Sequence, residues 1–468
     1  LIDRLENSGY KVHRLGPAAA AESDDPRTWL GVNQARDADD SLAALSGEKF
    51  DWLVVDHYAI DAQWERRMRA AADRVLVIDD LSNRPHDADL LLDQNYVATG
   101  NEQRYDSYVP RSCRKLLGPR FALLQPIYRQ IRRVAPQRDA SAMRVLVFFG
   151  AHDVERTVVK VLRALHSRAL EHLRVDVVPG SDPSIVAEVR KLADQERITV
   201  HEHLPSLAGV MLRADFAIGA GGATTWERAC LGLPTLVATI AENQWDIACA
   251  LAKEDFIALA GRSRDISVES WTTFITQLVR DPQRLVAMGA RSFLLTDGFG
   301  ASRVAHAMTS STGREISIRR AIASDEALLF EWANDPDVRG AAFNKERITA
   351  DGHRGWFSRR LADPNCMILI GEDECGLPLG QVRFDSDLES NEATVDISVD
   401  RDVRGSGVGA QLLVAASKYW RALVPKQTAV AEVLIDNERS RRMFAAAGFA
   451  STSARRPQAV AFQLRPET

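Results

Sequence analysis

The amino-acid sequence predicts two doubly wound parallel-sheet α/β domains followed by an α+β domain, with the first strand of the first sheet missing. Three observations predict this. Short apolar runs alternate with segments of helical period over residues 1–135 and again over 143–309, the grammar of a parallel sheet covered on both faces. From about residue 314 several strands follow one another without intervening helices, which is α+β order. A chain of 468 residues is also too long for one ordinary core.

The first domain opens on "LIDRLENSGYKVHRL", which reads as the end of a helix, a turn at Gly9 and then a strand. Open sheets usually begin with a strand, so an initial strand and part of a helix are expected upstream. "QARDADDSLAALS" reads as an amphipathic helix, "DWLVVD" as a buried strand, "DAQWERRMRAAA" as a helix and "RVLVIDD" as another buried strand. "RVAPQRDASAM" (133–143) is polar and aperiodic, a linker. The second domain alternates through "MRVLVFFG", "VERTVVKVLRAL", "LRVDVVPG", "PSIVAEVRKLADQ", "ITVHEHL", "SLAGVMLRA", "DFAIGAGG", "TTWERACL" and "PTLVAT", then ends in helices near 309. "SSTGRE" marks a Ser/Gly joint. The third domain (314–468) starts with the strand "EISIRRA", the helix "SDEALLFEWAND" with Ser324 as N-cap, and the helix "DGHRGWFSRRLAD". The strands "CMILIGE", "GLPLGQVRFDS" and "EATVDISVD" follow.

The 46% hydrophobic and 26% charged residues are ordinary for a globular chain. A net charge of −5 gives no reason to expect nucleic acid or an anionic membrane as partner. No apolar stretch is long enough to span a bilayer or to form a signal-peptide core. The five cysteines are scattered without CxxC spacing, so neither a metal site nor a disulfide framework is expected, and a reducing cytoplasm is the expected location.

Two glycine turns stand out. In "DFAIGAGGATTWERACLGLPTLV" (215–237) the glycines lie where strand should turn into helix. A helix start offers unpaired amides and partial positive charge, so a phosphate can bind if no side chain intervenes. Thr224 or Thr225 could add a hydroxyl, and Glu227 stands one turn in, where it could accept from ribose hydroxyls. Tight packing of helix on strand would also account for the glycines. Asn243 and Gln244 follow the strand "PTLVAT", at the carboxyl end where ligands of open sheets bind.

The run "IGAGGATTWERACLGLPTLV…ENQ" resembles the UDP-binding half of two-domain nucleotide-sugar enzymes with the GT-B arrangement. It is closer still to the UDP-sugar hydrolases of pseudaminic acid biosynthesis and their relatives in spore-coat polysaccharide operons. "DWLVVDHYAID", "VIDDLSNRPHDADLLLDQN", "LLGPRFALLQP" and "DGFGASRVA" extend the likeness over about three hundred residues. The resemblance implies cleavage of UDP from a diacetamido trideoxy sugar. It also implies that Gly221, Gly222, Ala223, Thr224 and Gln244 bind UDP with Glu227 on the ribose, and that Tyr58 and Asn243 lie at the attacked carbon with Asp56 and His57 nearby. Two departures matter. The family's G-x-G-H turn, whose histidine activates water, has no counterpart here, and His13 sits in a strand without glycines. "FGAHD" (149–153) carries His152 where the family has a small residue.

In "VDISVDRDVRGSGVGAQLLVAASKYW" (395–420), Arg404, Gly405, Ser406, Gly407, Val408 and Gly409 fit R-x-x-G-x-G at a strand-to-helix turn, again suited to pyrophosphate. With "AEVLIDNERSRRMFAAAGF" (431–449) the segment resembles the GNAT acetyltransferases. The resemblance implies acetyl-CoA as co-substrate, a thioester held by a backbone amide between Ile397 and Val399, and Asn437 and Ser440 beside the coenzyme. Phe444 stands where many members carry a tyrosine. "LLFEWANDPDVRGAAFN" and "HRGWF" resemble the sugar-amine branch, implying substrate contacts from Asn334, Asp335, Arg339, His353 and Trp356. Asp396 or Glu392 could deprotonate the ammonium.

Together the resemblances predict one bifunctional polypeptide: N-acetylation of a UDP-linked amino deoxysugar, then release of UDP from the acetamido product. Two alternatives stay open. The front half could be a docking module without catalysis, or a glycosyltransferase passing the sugar to an acceptor. Oligomeric state is not legible.

Overall fold

The computed structural model describes residues 2–16, 29–96, 103–136, 144–150, 153, 155–194, 196–202, 204–309 and 315–466. The chain divides into two compact units, 1–308 and 309–468.

The first unit holds two sheets. Strands β1 (Phe50–Val55), β2 (Ala72–Ile78), β3 (Leu90–Asp93) and β4 (Arg114–Leu117) form a parallel sheet in chain order. Strands β5 (Arg144–Phe148), β6 (Arg174–Val178), β7 (Ile198–Val200), β8 (Phe216–Gly219), β9 (Thr235–Thr239) and β10 (Ala258–Arg262) form a second parallel sheet in the order β10-β9-β8-β5-β6-β7. The reversal of winding falls between β5 and β8, which pair from Val145↔Phe216 to Phe148↔Gly219. In doubly wound sheets that reversal opens the ligand crevice at the strands' carboxyl ends.

Local chemistry explains the helices between the strands. Asn33 caps Gln34–Leu45 by accepting from the Arg36 N–H, and Ser46 closes that helix in the left-handed region at φ 52°. Asp182 caps Pro183–Leu192, with proline at the first position where no N–H is needed. The core beneath is aliphatic: Val145, Val147, Val175, Val177 and Ile218 are all fully buried, with Trp271 among them.

The last helix of this unit, Gly300–Met308, does not stay with the second sheet. Val304 packs among Leu76, Leu90 and Leu92 of the first, and the Trp52 indole donates to the Met308 carbonyl at 2.7 Å. Gly300 lies so close to Ala122 that a Cβ would come 2.5 Å from its backbone nitrogen. Asp297 receives a bidentate pair from the nearly buried Arg303, fixing the turn that starts this return.

The second unit carries β11 (Ser317–Arg320), β12 (Cys366–Glu372), β13 (Pro378–Asp387), β14 (Glu392–Val399), β15 (Thr428–Leu434), β16 (Ala450–Thr452) and β17 (Ala459–Leu464) in the order β11-β12-β13-β14-β15-β17-β16. Only β14 and β15 pair in parallel; the other neighbours are antiparallel. The helix Val408–Leu423 lies across this sheet, its Trp420 stacked on Phe384 at 4.8 Å.

Two expected details differ. "KVHRL" is not a strand: residues 11–16 carry no ladder, and the neighbouring Tyr10 and Leu15 are exposed. Alternation without a partner or a buried face does not make a strand. Ser324 is not an N-cap. It lies inside a 3₁₀ turn, Ala323–Asp325, and Asp325 accepts from the Ile322 N–H instead. The linker residues 137–143, most of the joint (310–314) and His152 lie outside the described residues. Among those described, no helix is long and apolar enough to cross a membrane.

Candidate functional site

In the second unit, strands β14 and β15 pair only at Glu392↔Thr428, Ala393↔Ala429 and Thr394↔Val430. Beyond Thr394 they part. β14 remains paired with β13 as far as Val399↔Gly380, and β15 with β17 as far as Leu434↔Ala459. Backbone groups facing the gap therefore have no ladder partner, and a thioester oxygen can take a hydrogen bond there. The gap opens into a cleft of about 1390 Å³.

The glycine turn forms one wall. Gly405 and Gly407 have φ of +82° and +83°, a conformation costly for other residues. A Cβ at either would meet no protein atom within 4 Å, so the amide face is open. Gly409 has a different reason to be bare: a Cβ would come 2.8 Å from the Met443 sulfur. The helix starting at Val408 is 16 residues long, long enough for its N-terminal dipole to favour a phosphate.

Of the residues expected at the coenzyme, Ile397, Val399, Arg404, Gly405, Gly407, Gly409, Asn437 and Ser440 line the cleft. Ser406 and Val408 are not in its lining. The Ser406 hydroxyl donates to the Val403 carbonyl at 2.6 Å, and Val408 is buried core. Asn437 accepts from the Ser440 N–H as the cap of Glu438–Ala446. The Arg404 side chain turns away from the turn it introduces. Its Nε donates to the Val399 carbonyl at 2.9 Å, and Nη1 meets Asp335 at 2.8 Å and Asp337 at 3.0 Å.

On the acceptor side, Arg339, His353, Trp356 and Asp396 line the same cleft. Asn334 and Asp335 are not in its lining. The Asn334 amide is spent on both the N–H and the carbonyl of Ile348. Asp335 caps the helix Pro336–Ala341 while holding Arg404. Asp396 accepts from the Gln381 amide at 3.0 Å and lies opposite Arg383 in the ladder. Burial opposes the charge of Arg383, but Asp396 and Asp385 more than offset it and raise its pKa. Glu392, the other expected base, pairs with Arg455 instead. Phe444 is 3% exposed and stacks on Phe462, so no phenol reaches a leaving thiolate from there. Gln381, Arg383 and Ser398 were missed as lining residues; they alternate along ordinary strands, and no local motif marks them.

In the first unit the glycine turn follows β8 at the winding reversal. Gly219 is bare for packing. A Cβ there would overlap the Arg228 guanidinium and come 2.5 Å from the Phe148 carbonyl oxygen. Arg228 is buried, donating to Ala220 O at 2.6 Å and to the Thr225 hydroxyl at 3.0 Å, and burial brings its pKa down to about 10. At Gly221 and Gly222 a Cβ would meet Gln244 at ordinary contact distance, so packing alone does not require glycine there; the Gln244 Oε1 accepts from the Ile240 N–H. Ala223 and Thr224 open a helix of only seven residues, Thr224–Cys230. Glu227 bonds to the Tyr128 hydroxyl; its Oε2 is buried without a partner, and burial raises its pKa. Asn243 is exposed in the 3₁₀ turn Glu242–Gln244.

Asp56, His57 and Tyr58 follow the end of β1. The Tyr58 hydroxyl bonds to Asp80, and burial with that carboxylate pushes the phenol well above the usual tyrosine range. His57 Nδ1 accepts from the Ala59 N–H, and burial lowers its pKa. Beside them Asp79 meets Arg84 at 2.6 Å, and Asp93 meets Arg104 at 2.5 Å. Burial still pushes Asp93 up to about 6. Among the described residues no group of three or more His, Cys, Asp or Glu side chains is arranged to hold a metal ion.

Residues 315–450 match the family model described as acetyltransferase (GNAT) domain. An uncharacterised protein of Methanocaldococcus jannaschii is 20% identical over 97% of this chain and 88% of its own length. The spore coat polysaccharide biosynthesis protein SpsG of Bacillus subtilis is 25% identical over 56% of this chain and 77% of its own. The UDP-2,4-diacetamido-2,4,6-trideoxy-beta-L-altropyranose hydrolase of Campylobacter jejuni is 23% identical over 35% of this chain and 58% of its own. The chain is an enzyme that carries a GNAT acetyltransferase domain at residues 315–450, joined to a region distantly related to proteins of sugar biosynthesis.

Proposed function

We propose that this chain acetylates the amino group of a UDP-linked amino deoxysugar and then releases UDP from the acetamido product. The single observation that carries the first step is the parting of β14 from β15 beside an open glycine turn. Acetyl-CoA would lay its pyrophosphate on the amides of Gly405, Gly407 and Gly409, with the thioester oxygen at the unpaired backbone of Ile397–Val399. The acceptor amine would enter past Arg339 and Trp356 and attack the carbonyl carbon directly. With Phe444 in place of a phenol, the thiolate would take its proton from water or from the attacking nitrogen.

Support for the second step comes from the relatives, one of which is named as a hydrolase of a UDP-diacetamido sugar, and from the turn at the winding reversal of the second sheet. Gly221, Gly222, Ala223 and Thr224 would meet the diphosphate, with Gln244 beside them also binding UDP. Glu227, buried with one oxygen unpartnered, would take the ribose. Tyr58 and Asn243 would serve the sugar.

One incubation tests both steps: the full chain with acetyl-CoA and a UDP-4-amino deoxysugar, following free thiol and free UDP separately. Thiol release followed by UDP release is the expected result. Thiol without UDP would leave the first unit as a docking module. UDP release that requires an added sugar acceptor would make it a glycosyltransferase. No thiol with any amino sugar would overturn the acceptor reading.

A further inference from the structure

We propose that His353 is the base that takes the proton from the acceptor ammonium, and that Glu326 is its positioning residue. The proposal rests on the reading that this cleft acylates an amine. It replaces Asp396, whose carboxylate is already engaged by Gln381 and faces Arg383.

His353 is 2% exposed yet belongs to the wall of the cleft. Its Nδ1 lies 3.2 Å from Glu326 Oε1, and its Nε2 is buried with no hydrogen-bond partner. A carboxylate can only accept, so the hydrogen of this bond sits on Nδ1. That leaves Nε2 with a bare lone pair, the atom that can receive a proton. A buried ring nitrogen without a partner is costly to keep and points to a ligand.

Aromatic rings surround the imidazole. Phe357 lies nearly parallel to it at 6.1 Å, and Phe330 and Trp356 flank it at 5.3 and 5.5 Å. Charged groups reach the cleft around it from several elements, Arg339 of the helix Pro336–Ala341 among them. Glu326 reaches in from the helix Glu326–Asn334, Arg383 comes from β13 across the Trp356 ring, and Asp396 from β14 lines the cleft beyond. Glu326 itself is 28% exposed on its side chain, so a proton taken by the ring has a carboxylate beside it and solvent behind that.

The step balances. The ammonium loses one proton to His353 Nε2, and the nitrogen lone pair forms the C–N bond at the acetyl carbon. The tetrahedral intermediate then breaks its C–S bond, and the excess N–H proton goes to the departing thiolate. The products are the acetamide, the free thiol and one proton, which the imidazolium returns to solvent.

The test uses the full chain with acetyl-CoA and the UDP-4-amino deoxysugar. His353→Gln is expected to lower kcat at pH 7 by roughly 10²-fold or more and to leave KM for acetyl-CoA unchanged. Its rate should climb about tenfold per pH unit as solvent takes over the proton. Glu326→Gln, a milder change that leaves the buried ring in place, should lower kcat in the same direction and alter the acidic limb of the pH profile. A ¹⁵N spectrum of the histidine-labelled chain, assigned by the signal lost in His353→Gln, should report Nδ1–H and bare Nε2, a tautomer weakened in Glu326→Gln. Wild-type kcat and pH profile in a folded His353→Gln, with only a raised acceptor KM, would overturn the proposal. So would an Nε2–H tautomer. If the wild-type chain transfers acetyl to no amino sugar, the acceptor reading fails on its own, and the tautomer measurement decides this proposal.

Discussion

Replacing Gly407 with alanine separates two reasons for a bare turn. At φ +83° an alanine costs roughly 1–2 kcal/mol of backbone strain. No protein atom lies within 4 Å of the new Cβ, so no packing penalty adds to it. The thermal transition of the second unit should fall by about 2–8 °C. Coenzyme binding should fall much further. A methyl group set on the amide face displaces one charge-assisted hydrogen bond, about 1.5–3 kcal/mol, which is roughly ten- to a hundredfold in Kd. Gly448 provides the control. Its φ is +86° and its Cβ position is equally open, but it does not line the cleft, so Gly448→Ala should reproduce the thermal shift and leave affinity unchanged. Calorimetric titration with CoA measures both. If Gly407→Ala binds CoA within twofold of wild type while melting like Gly448→Ala, the turn serves chain geometry only, and the pyrophosphate argument is refuted.

Three further outcomes follow from the geometry. Arg404→Ala leaves Asp335 and the Val399 carbonyl without their partner in a largely buried pair, and should destabilise the second unit by about 3 kcal/mol; a melting shift under 1 °C would contradict this. Gly219→Ala should destabilise the first unit by about 1–3 kcal/mol, and Arg228→Met should fail to rescue it because the Phe148 carbonyl still blocks the Cβ. Full recovery in the double variant would show that the guanidinium was the sole obstacle. Burial opposes ionisation of Asp297, but Arg303 and Arg120 more than offset it and hold its pKa below the usual range. Its contribution is therefore present above pH ~4 and lost as pH falls further. Asp297→Asn should be less stable than wild type at neutral pH and should show a shallower acid limb in urea titrations. A parallel limb would mean that the pair does not carry the acid sensitivity.

What could be read from the residues alone was whatever repeats or sits in a short motif. The alternation of apolar runs located β1, β2 and β5 to β9 of the first unit, because a sheet buried on both faces leaves few polar positions, but it passed over the short β3 and β4 and the outer strand β10. The R-x-x-G-x-G turn was legible because positive φ and an open amide face both demand glycine. The same reasoning left packing and phosphate binding both open for the glycines after β8, and at Gly219 packing decides, through Arg228, nine positions along the chain. Nor could it show the partners of Asn334 and Asp335, polar residues near a substrate motif that bond to Ile348, Val338 and Arg404. His353 was placed at the acceptor, but its partner Glu326 stands 27 residues earlier. Nothing local ties two helices to one hydrogen bond. "KVHRL" failed for a related reason: a strand is defined by its neighbours, and the pattern within five residues contains none of them.

The wedge between β14 and β15 has one more consequence. Both of its walls are paired on their outer sides, one with β13 and the other with β17, so closing or spreading the gap would shift those ladders as well. A slot held open in this way is formed before anything enters it. The entropy of ordering the thioester's berth is lost when the chain folds and not again at each turnover, and helices on the acceptor side can be remodelled without loosening the grip on the acyl group.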